Sequence, residues 1–278
     1  MHEIDGRSRP LSTRVAPAER GYREFRPHPA LARHVQCAWT STIDDDPEAA
    51  VRRIVPDGCI DVVWRADAGL LIEGPATEAM VVDLLPGSLV VGLRFRPGMA
   101  PSLLGVAADE LRDRSVPLGD VWGSAGRAVT RELEDLPRRV ALEVIQRVFL
   151  RRLDAAVGPD ETVSAAVDRL RREPTTGVRE LSTGLGVSSR QLLRRFSDRV
   201  GYGPRTFGRV ARFQRFLSTA EQLRNDDRSL ADLALQTGYA DQAHLSRECR
   251  DLGGLPPLRL LAALMGESRR VRFVQDGR

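Results

Sequence analysis

Lysine is missing altogether: each of the 42 basic residues among 278 is an arginine. So complete a bias reads as genome-wide codon usage more than as a functional choice. Cysteine is scarce. Three cysteines, an odd number without close pairs, exclude a disulfide scaffold and point to a reducing compartment. Long apolar runs are also missing. None approaches the roughly 18 residues of a membrane helix, so no membrane partner is expected. The first 20 residues carry Arg, Pro and acids without an apolar segment, which excludes a signal peptide and suggests a cytoplasmic protein. Histidine is limited to four residues. His34 and Cys37, with His28 and Cys59 near in sequence, lack the second close pair that a zinc site needs, so no metal or other cofactor is expected. The chain contains no Pro-Cys-His stretch, no Gly-x-Ser-x-Gly, no His-Glu-x-x-His and no Walker glycine loop, so no catalytic residue is assigned.

What is present is a repeat. Glu180-Leu181 to Phe196 and Asp232-Leu233 to Cys249 share one pattern, at an offset of 52 up to Gly186/Gly238 and 53 beyond. Each copy reads as a short helix, a turn at glycine and a second amphipathic helix, the layout of a helix-turn-helix. Glycine takes the positive φ that ends the first helix. Ser188 and Asp241 then stand at N-cap positions. Leu192 and Phe196 should face inward, while Arg190, Leu193 and Arg194 share the opposite face with Ser188, Ser189 and Gln191 at its start. The second copy presents Gln242, Ala243, His244, Ser246 and Arg247. Arginine forks onto guanine, glutamine pairs with adenine, alanine packs on the thymine methyl, and hydroxyls and helix N-termini hold phosphate. Arg205 to Arg224 lies between the copies without an internal proline. As a helix it would span roughly 30 Å, near the 34 Å of one DNA turn.

Charge follows the repeat. Residues 161–278 hold 21 Arg against 14 acids (+7), and residues 1–160 hold 21 Arg against 24 acids (−3). A basic half is the electrostatic footprint of nucleic-acid binding, although arginine-rich solvated helices give the same count.

On these motifs residues 161–262 resemble the DNA-binding domain of the AraC/XylS family of bacterial transcription regulators. The stretches that match are Val178-Arg179-Glu180-Leu181, Gly186 to Leu192, Arg194-Arg195-Phe196, Ser229 to Ala234 and Thr237 to Arg247. The resemblance implies seven helices, with two helix-turn-helices joined by a linker helix. It puts base-reading positions on Arg190, Leu193 and Arg194 and on Gln242, Ala243, His244, Ser246 and Arg247. Departures are Leu245 and Cys249 where the family has larger aromatics, apolar Leu193 at a reading position, and Pro257-Leu258-Arg259-Leu260 where an aromatic-Arg pair closes the pattern. The smaller residues predict looser packing of the second unit.

In the first half, short apolar or alternating runs are separated by turn residues. They predict strands over His34–Ile43, Val51–Val55, Cys59–Arg65, Leu70–Glu73, Met80–Leu84 and Ser88–Phe95, and helices over Met99–Leu104, Ala107–Asp113, Ser124–Leu136 and Pro137–Ala156. The apolar stripe of the last helix suits a core or a dimer interface. Ile54 to Asp61 and Gly92 to Gly98 more loosely resemble the uncharacterised N-terminal domain of many AraC-like regulators, whose better-known members carry a β-rich, cupin-like domain. The expected class is therefore α+β, a β-rich N-terminal domain followed by helices and then an all-α domain with two helix-turn-helix units. The expected division is a disordered lead-in over 1–19, a sensory or dimerisation domain over 20–156, a linker over 157–160, the DNA-binding domain over 161–262 and a tail over 263–278. Trp39, Asp57, Trp64 and Arg94 are the candidate effector residues. Structural ion pairing is the competing reading for Asp57, Asp61 and Arg94, and core packing for the tryptophans.

The expected function is a DNA-binding transcription regulator acting on double-stranded promoter DNA. RNA polymerase, a small-molecule effector and a second copy of the chain are its prospective partners. The alternatives are an architectural DNA binder that senses nothing and an enzyme fused to an AraC-like unit, as some DNA-repair methyltransferases are.

Overall fold

Successive strand residues point to opposite faces of a sheet, and here that alternation separates a packed face from a hollow one. The computed structural model describes residues 21–45, 50–137, 140–222 and 229–265. The lead-in expected over 1–19 and most of the expected tail lie outside them. Eight strands are described: β1 (Tyr22–Phe25), β2 (Val35–Thr42), β3 (Val51–Ile54), β4 (Asp61–Arg65), β5 (Gly69–Glu73), β6 (Met80–Asp83), β7 (Leu89–Phe95) and β8 (Ser115–Pro117). Six form an antiparallel sheet in the order β1-β2-β7-β4-β5-β8, while β3 and β6 pair as a separate ribbon.

On one face of the sheet Val62, Trp64, Leu70, Ile72, Val91 and Leu93 are buried in the main core. They pack with Leu103 and Leu104 of α1 (Ala100–Leu104) and with Val144, Ile145 and Phe149 of α4 (Ala141–Arg152). Phe95 meets Phe149 edge to face at 5.2 Å. The apolar stripe of α4 is thus core, and the dimer-interface reading of that stripe falls. Between them lie α2 (Leu118–Trp122) and α3 (Ser124–Glu134).

The six expected strands are present with ends shifted by a residue or two. Two edge strands, β1 and β8, and the short α2 were not anticipated. β8 has three residues and β1 only four, too few for alternation to register. The helix expected over Ala107–Asp113 is a single 3-10 turn at Ala108–Glu110. Three residues past that turn Asp113 takes the left-handed region, at φ 56°, and its carboxylate accepts from Thr77 N at 2.6 Å and Thr77 Oγ1 at 2.8 Å. That turn sends the chain back into β8. The expected Pro137–Ala156 helix begins at Ala141 and closes in a 3-10 turn at Leu153–Ala155, with 138–139 outside the described residues.

The second half contains seven described helices: α5 (Glu161–Arg172), α6 (Val178–Gly184), α7 (Ser189–Val200), α8 (Pro204–Gln222), α9 (Leu230–Gln236), α10 (Gln242–Gly253) and α11 (Pro257–Met265). Two cores serve the two units. One joins α5, α6 and α7 to the start of α8 around Phe196 and Phe207, and the other joins the rest of α8 to α9, α10 and α11 around Phe213 and Phe216. The smaller Leu245 and Cys249 are fully buried there against the α8 phenylalanines, so the second unit is filled from the spacer helix.

Gly92 shows how tight the hollow side of the sheet is. A Cβ at this position would lie 2.5 Å from the Trp39 indole. Gly92→Ala is expected to lower unfolding free energy by about 1–3 kcal/mol through overpacking. Urea denaturation followed by tryptophan fluorescence checks it.

Candidate nucleic-acid interface and effector cavity

Each helix-turn-helix is built from the turn outward. In the first, Gly186 takes φ +67° between α6 and α7; in the second, Gly238 takes φ +91° between α9 and α10. The second turn carries the extra residue that the change of offset requires. Ser188 Oγ accepts from Gln191 N at 3.2 Å while Gln191 Oε1 accepts from Ser188 N at 3.1 Å, a capping box. Asp241 Oδ1 caps α10 by accepting from His244 N at 2.6 Å.

These bonds sort the expected DNA-contact residues. Ser188, Gln191 and Asp241 are exposed but committed to capping. Ser189 is half-buried, with its Oγ 2.9 Å from Ser182 Oγ, tying α7 to α6. His244 is half-buried and stands edge to face with Tyr239 at 5.2 Å. Ser246 is half-buried on α10. Arg190, Leu193, Arg194, Gln242, Ala243 and Arg247 face solvent. Among the described residues, no ion pair or hydrogen bond holds Arg190, Arg194 or Arg247. Leu193 is 44% exposed.

The residue after each exposed arginine of the pair Arg194/Arg247 turns inward and is clamped. Arg195 holds Asp160 through two hydrogen bonds of 2.7 and 2.6 Å. Asp160 also caps α5 by accepting from Val163 N at 3.0 Å. The repeat equivalent of Arg195 is Glu248, which is buried and accepts from Arg209 Nε at 3.0 Å and from Arg212 at 3.4 Å, both on α8. The Arg212 guanidinium lies over the Tyr239 ring at 4.7 Å. Periodicity did not mark these clamps, and Asp160 fell within the expected linker. The available signal was the charge at the same repeat position in both copies, inside an otherwise apolar face.

The far ends of α7 and α10 meet the N-terminal domain. Gly201 and Gly254 are their left-handed C-caps. A Cβ on Gly201 would strike Pro75 at 2.3 Å, and one on Gly254 would meet Arg53 Nη1 at 2.9 Å. Arg53 donates to Gly253 O at 3.2 Å, and Gln214 of α8 donates to Pro56 O at 2.6 Å in a buried contact. Val55 packs into the second core.

The same β3 segment walls a cavity of about 210 Å³ between the hollow face of the sheet, the β3–β6 ribbon and the helical second half, which contributes Gln214 and Leu264. Trp39, Asp57 and Arg94 line it. Trp64 does not: one residue along from the cavity-lining Val63 and Arg65, it points to the opposite face and lies in the main core. Arg94 pairs with Asp61 at 2.9 Å and Asp57 at 3.4 Å, so the ion pair and the cavity wall are one feature. Burial alone would lower the Arg94 guanidinium; Asp61 and Asp57 more than offset it and hold it above its ordinary value. Cys59 and Glu73, not anticipated as cavity residues, also line it.

Residues 181–263 match the model of a helix-turn-helix domain, and residues 23–117 match a domain of unknown function, DUF6597. A putative AraC-like transcription regulator of Streptomyces lividans is 29% identical over 237 residues, covering 78% of this chain and 72% of that protein. Among solved structures, ToxT from Vibrio cholerae O395 aligns with a TM-score of 0.40 at 9% identity, over 82% of this chain and 94% of ToxT. ToxT bound to (E)-4-(8-methylnaphthalen-1-yl)but-3-enoic acid aligns with a TM-score of 0.41 at 10% identity, over 77% of this chain and 97% of that one.

Two stability tests follow from the clamps. Glu248→Gln leaves two guanidiniums without their carboxylate and is expected to cost about 2–3 kcal/mol, discounted for the partial exposure of Arg209. Chemical denaturation reads this. Burial pulls the Asp160 carboxyl up, but hydrogen bonds from Arg195 and Val163 and the charges of Arg195 and Arg199 hold it below its ordinary value. A depressed carboxylate stabilises the fold above its unfolded value of about 3.9 and loses that contribution as pH falls through the lower folded value. Asp160→Asn should therefore lower stability at pH 7 and flatten the loss below about pH 4 in a pH series of melts.

Proposed function

We infer that this chain, an AraC-like helix-turn-helix DNA-binding transcription regulator, reads two successive major-groove segments of promoter DNA, one with α7 and one with α10. The observation that carries this reading is the pairing of exposed, uncommitted arginines on two clamped helices. Arg190 and Arg194 stand on one, and Arg247 with Gln242 on the other. Unpaired guanidiniums keep their full capacity for phosphate or guanine. The 19-residue spacer α8 is about 28 Å long, close to the 34 Å of one DNA turn. The helix N-termini, which approach base edges in this motif, are the exposed ends, while the C-terminal ends rest on the N-terminal domain.

The N-terminal domain acts in this reading as a sensor with its effector in the Trp39–Asp57–Arg94 cavity. Arg53 and Pro56 touch that cavity and also hold α10 and α8, so an occupant that shifts β3 shifts the second reading helix. Coupling of this kind is reciprocal: DNA and effector alter each other's affinity by the same factor. The protein works as a regulator without catalysis, and no described helix is long and apolar enough to cross a membrane.

Selection from random duplexes supplies a binding site, and gel-shift titration then tests the assignments. Arg194→Ala and Arg247→Ala are each expected to weaken specific binding by about 1–3 kcal/mol and to relax base preference locally. Undiminished affinity in both variants overturns the reading. The double variant Arg53→Ala/Gln214→Ala should change affinity for the same duplex without altering the preferred sequence. An unchanged titration removes the contact route from sensor to DNA.

A further inference from the structure

Residues 53–58 leave the β3–β6 ribbon and run along one face of the spacer helix. Phe207 and Gln214 lie seven residues apart on α8, about two helical turns, so they share that face. Gly58 meets the first of them: a Cβ there would lie 2.8 Å from the Phe207 ring and 3.5 Å from Tyr202 Oη. Pro56 meets the second, its carbonyl accepting from Gln214 Nε2 at 2.6 Å. Val210 and Leu217, the neighbours on that face, are apolar and buried. A buried amide among them is costly unless it is bonded, and the Pro56 carbonyl bonds it. Val55 packs into the second core, and Arg53 donates to Gly253 O at 3.2 Å.

The two ends of this segment touch equivalent corners of the repeat. At the offset of 53, Gly201 and Tyr202 correspond to Gly254 and Leu255. Gly58 reaches the corner after α7 through Tyr202, and α7 itself through Phe207, which stands edge to face with Phe196 at 5.7 Å. Arg53 reaches the corner after α10, its Nη1 lying 2.9 Å from where a Cβ of Gly254 would be. Five residue steps span at most about 18 Å. One short piece of N-terminal backbone thus joins both units, whose cores divide on α8 between Val210 and Phe213. The spacer sets the distance between the units along its axis, but a long helix can curve. A second connection beside it resists that curvature.

We propose that Arg53–Gly58 is a brace that fixes the spacing and phase of α7 and α10, with Arg53 and Gly58 its positioning residues. The proposal rests on the two-segment reading of DNA and deepens it. The N-terminal domain, together with the spacer, sets the distance between the two segments that the chain accepts.

The test uses the full chain and three duplexes: the selected site, and the same site with one base pair inserted or removed between its two segments. One base pair changes the separation by about 3.4 Å and the phase by about 35°. The wild-type chain should bind the selected site at least 10-fold tighter than either altered duplex in gel-shift titration. Gly58→Ala drives a Cβ into Phe207 and should narrow that preference to under 3-fold, or move it to an altered duplex, with base preference inside each segment unchanged. Gly58 also holds φ +82°, where alanine is strained, so Arg53→Ala is the companion variant. It releases the α10 corner without touching the loop backbone and should narrow the preference in the same way. Discrimination kept at 10-fold in either folded variant, even where affinity falls equally on all three duplexes, overturns the brace and leaves the two-segment reading standing. Wild-type binding that is indifferent to spacing overturns the two-segment reading itself.

Discussion

The orientation of α7 and α10 rests on one kind of interaction, a carboxylate held by guanidinium forks across two helices. On α10 the carboxylate is Glu248, gripped by Arg209 and Arg212 of the spacer. On α7 the fork is Arg195, gripping the residue that also starts α5. Hydrophobic packing around Phe196 and Leu245 holds each helix in place but is poorly directional. The forks have direction, and a planar two-point contact resists rotation of the helix about its axis. The neighbouring Arg194 and Arg247 can face outward because Arg195 and Glu248 are tied inward.

A second constraint acts at the other ends of the same helices. A side chain on Gly201 would strike Pro75 and the Ala108 carbonyl, and one on Gly254 would displace the Arg53 guanidinium. The N-terminal domain is therefore a platform for both α7 and α10, and one strand of that platform also walls the cavity. The short path from Asp57 through Pro56 to Gln214 joins a half-buried charge to the spacer helix without passing through the covalent linker. A shift of that loop by a fraction of an ångström has to be absorbed by a close-packed interior.

How far residues could be read without coordinates depended on the range of the interaction. Capping by Ser188 and Asp241, the turn at Gly186 and the burial of Leu192 and Phe196 are local, and local spacing revealed them. The first half was legible as strands because alternation is local too. What escaped was set by distance or brevity. β8 is three residues whose partners lie more than 40 positions away, and the Ala107–Asp113 helix gave way to a turn that Thr77 stabilises from outside. Trp39 and Trp64 looked equivalent as strand aromatics, yet strand register put one on the cavity and the other in the core. Asp160 looked like linker because its partner Arg195 is 35 positions further on. The Arg94 cluster was recognisable as an ion pair, but only the folded sheet shows that the pair borders empty space.

The two forks have opposite polarity. The cation rides on α7 in the first unit, and the anion rides on α10 in the second. A chain with two similar units can misassemble by lodging one copy's helix in the other copy's seat. Here that exchange would press Arg195 against Arg209 and Arg212 and set Glu248 against Asp160, like against like in both seats. Divergence of a single repeat position thus lets each copy recognise its own half of the domain and reject the other's.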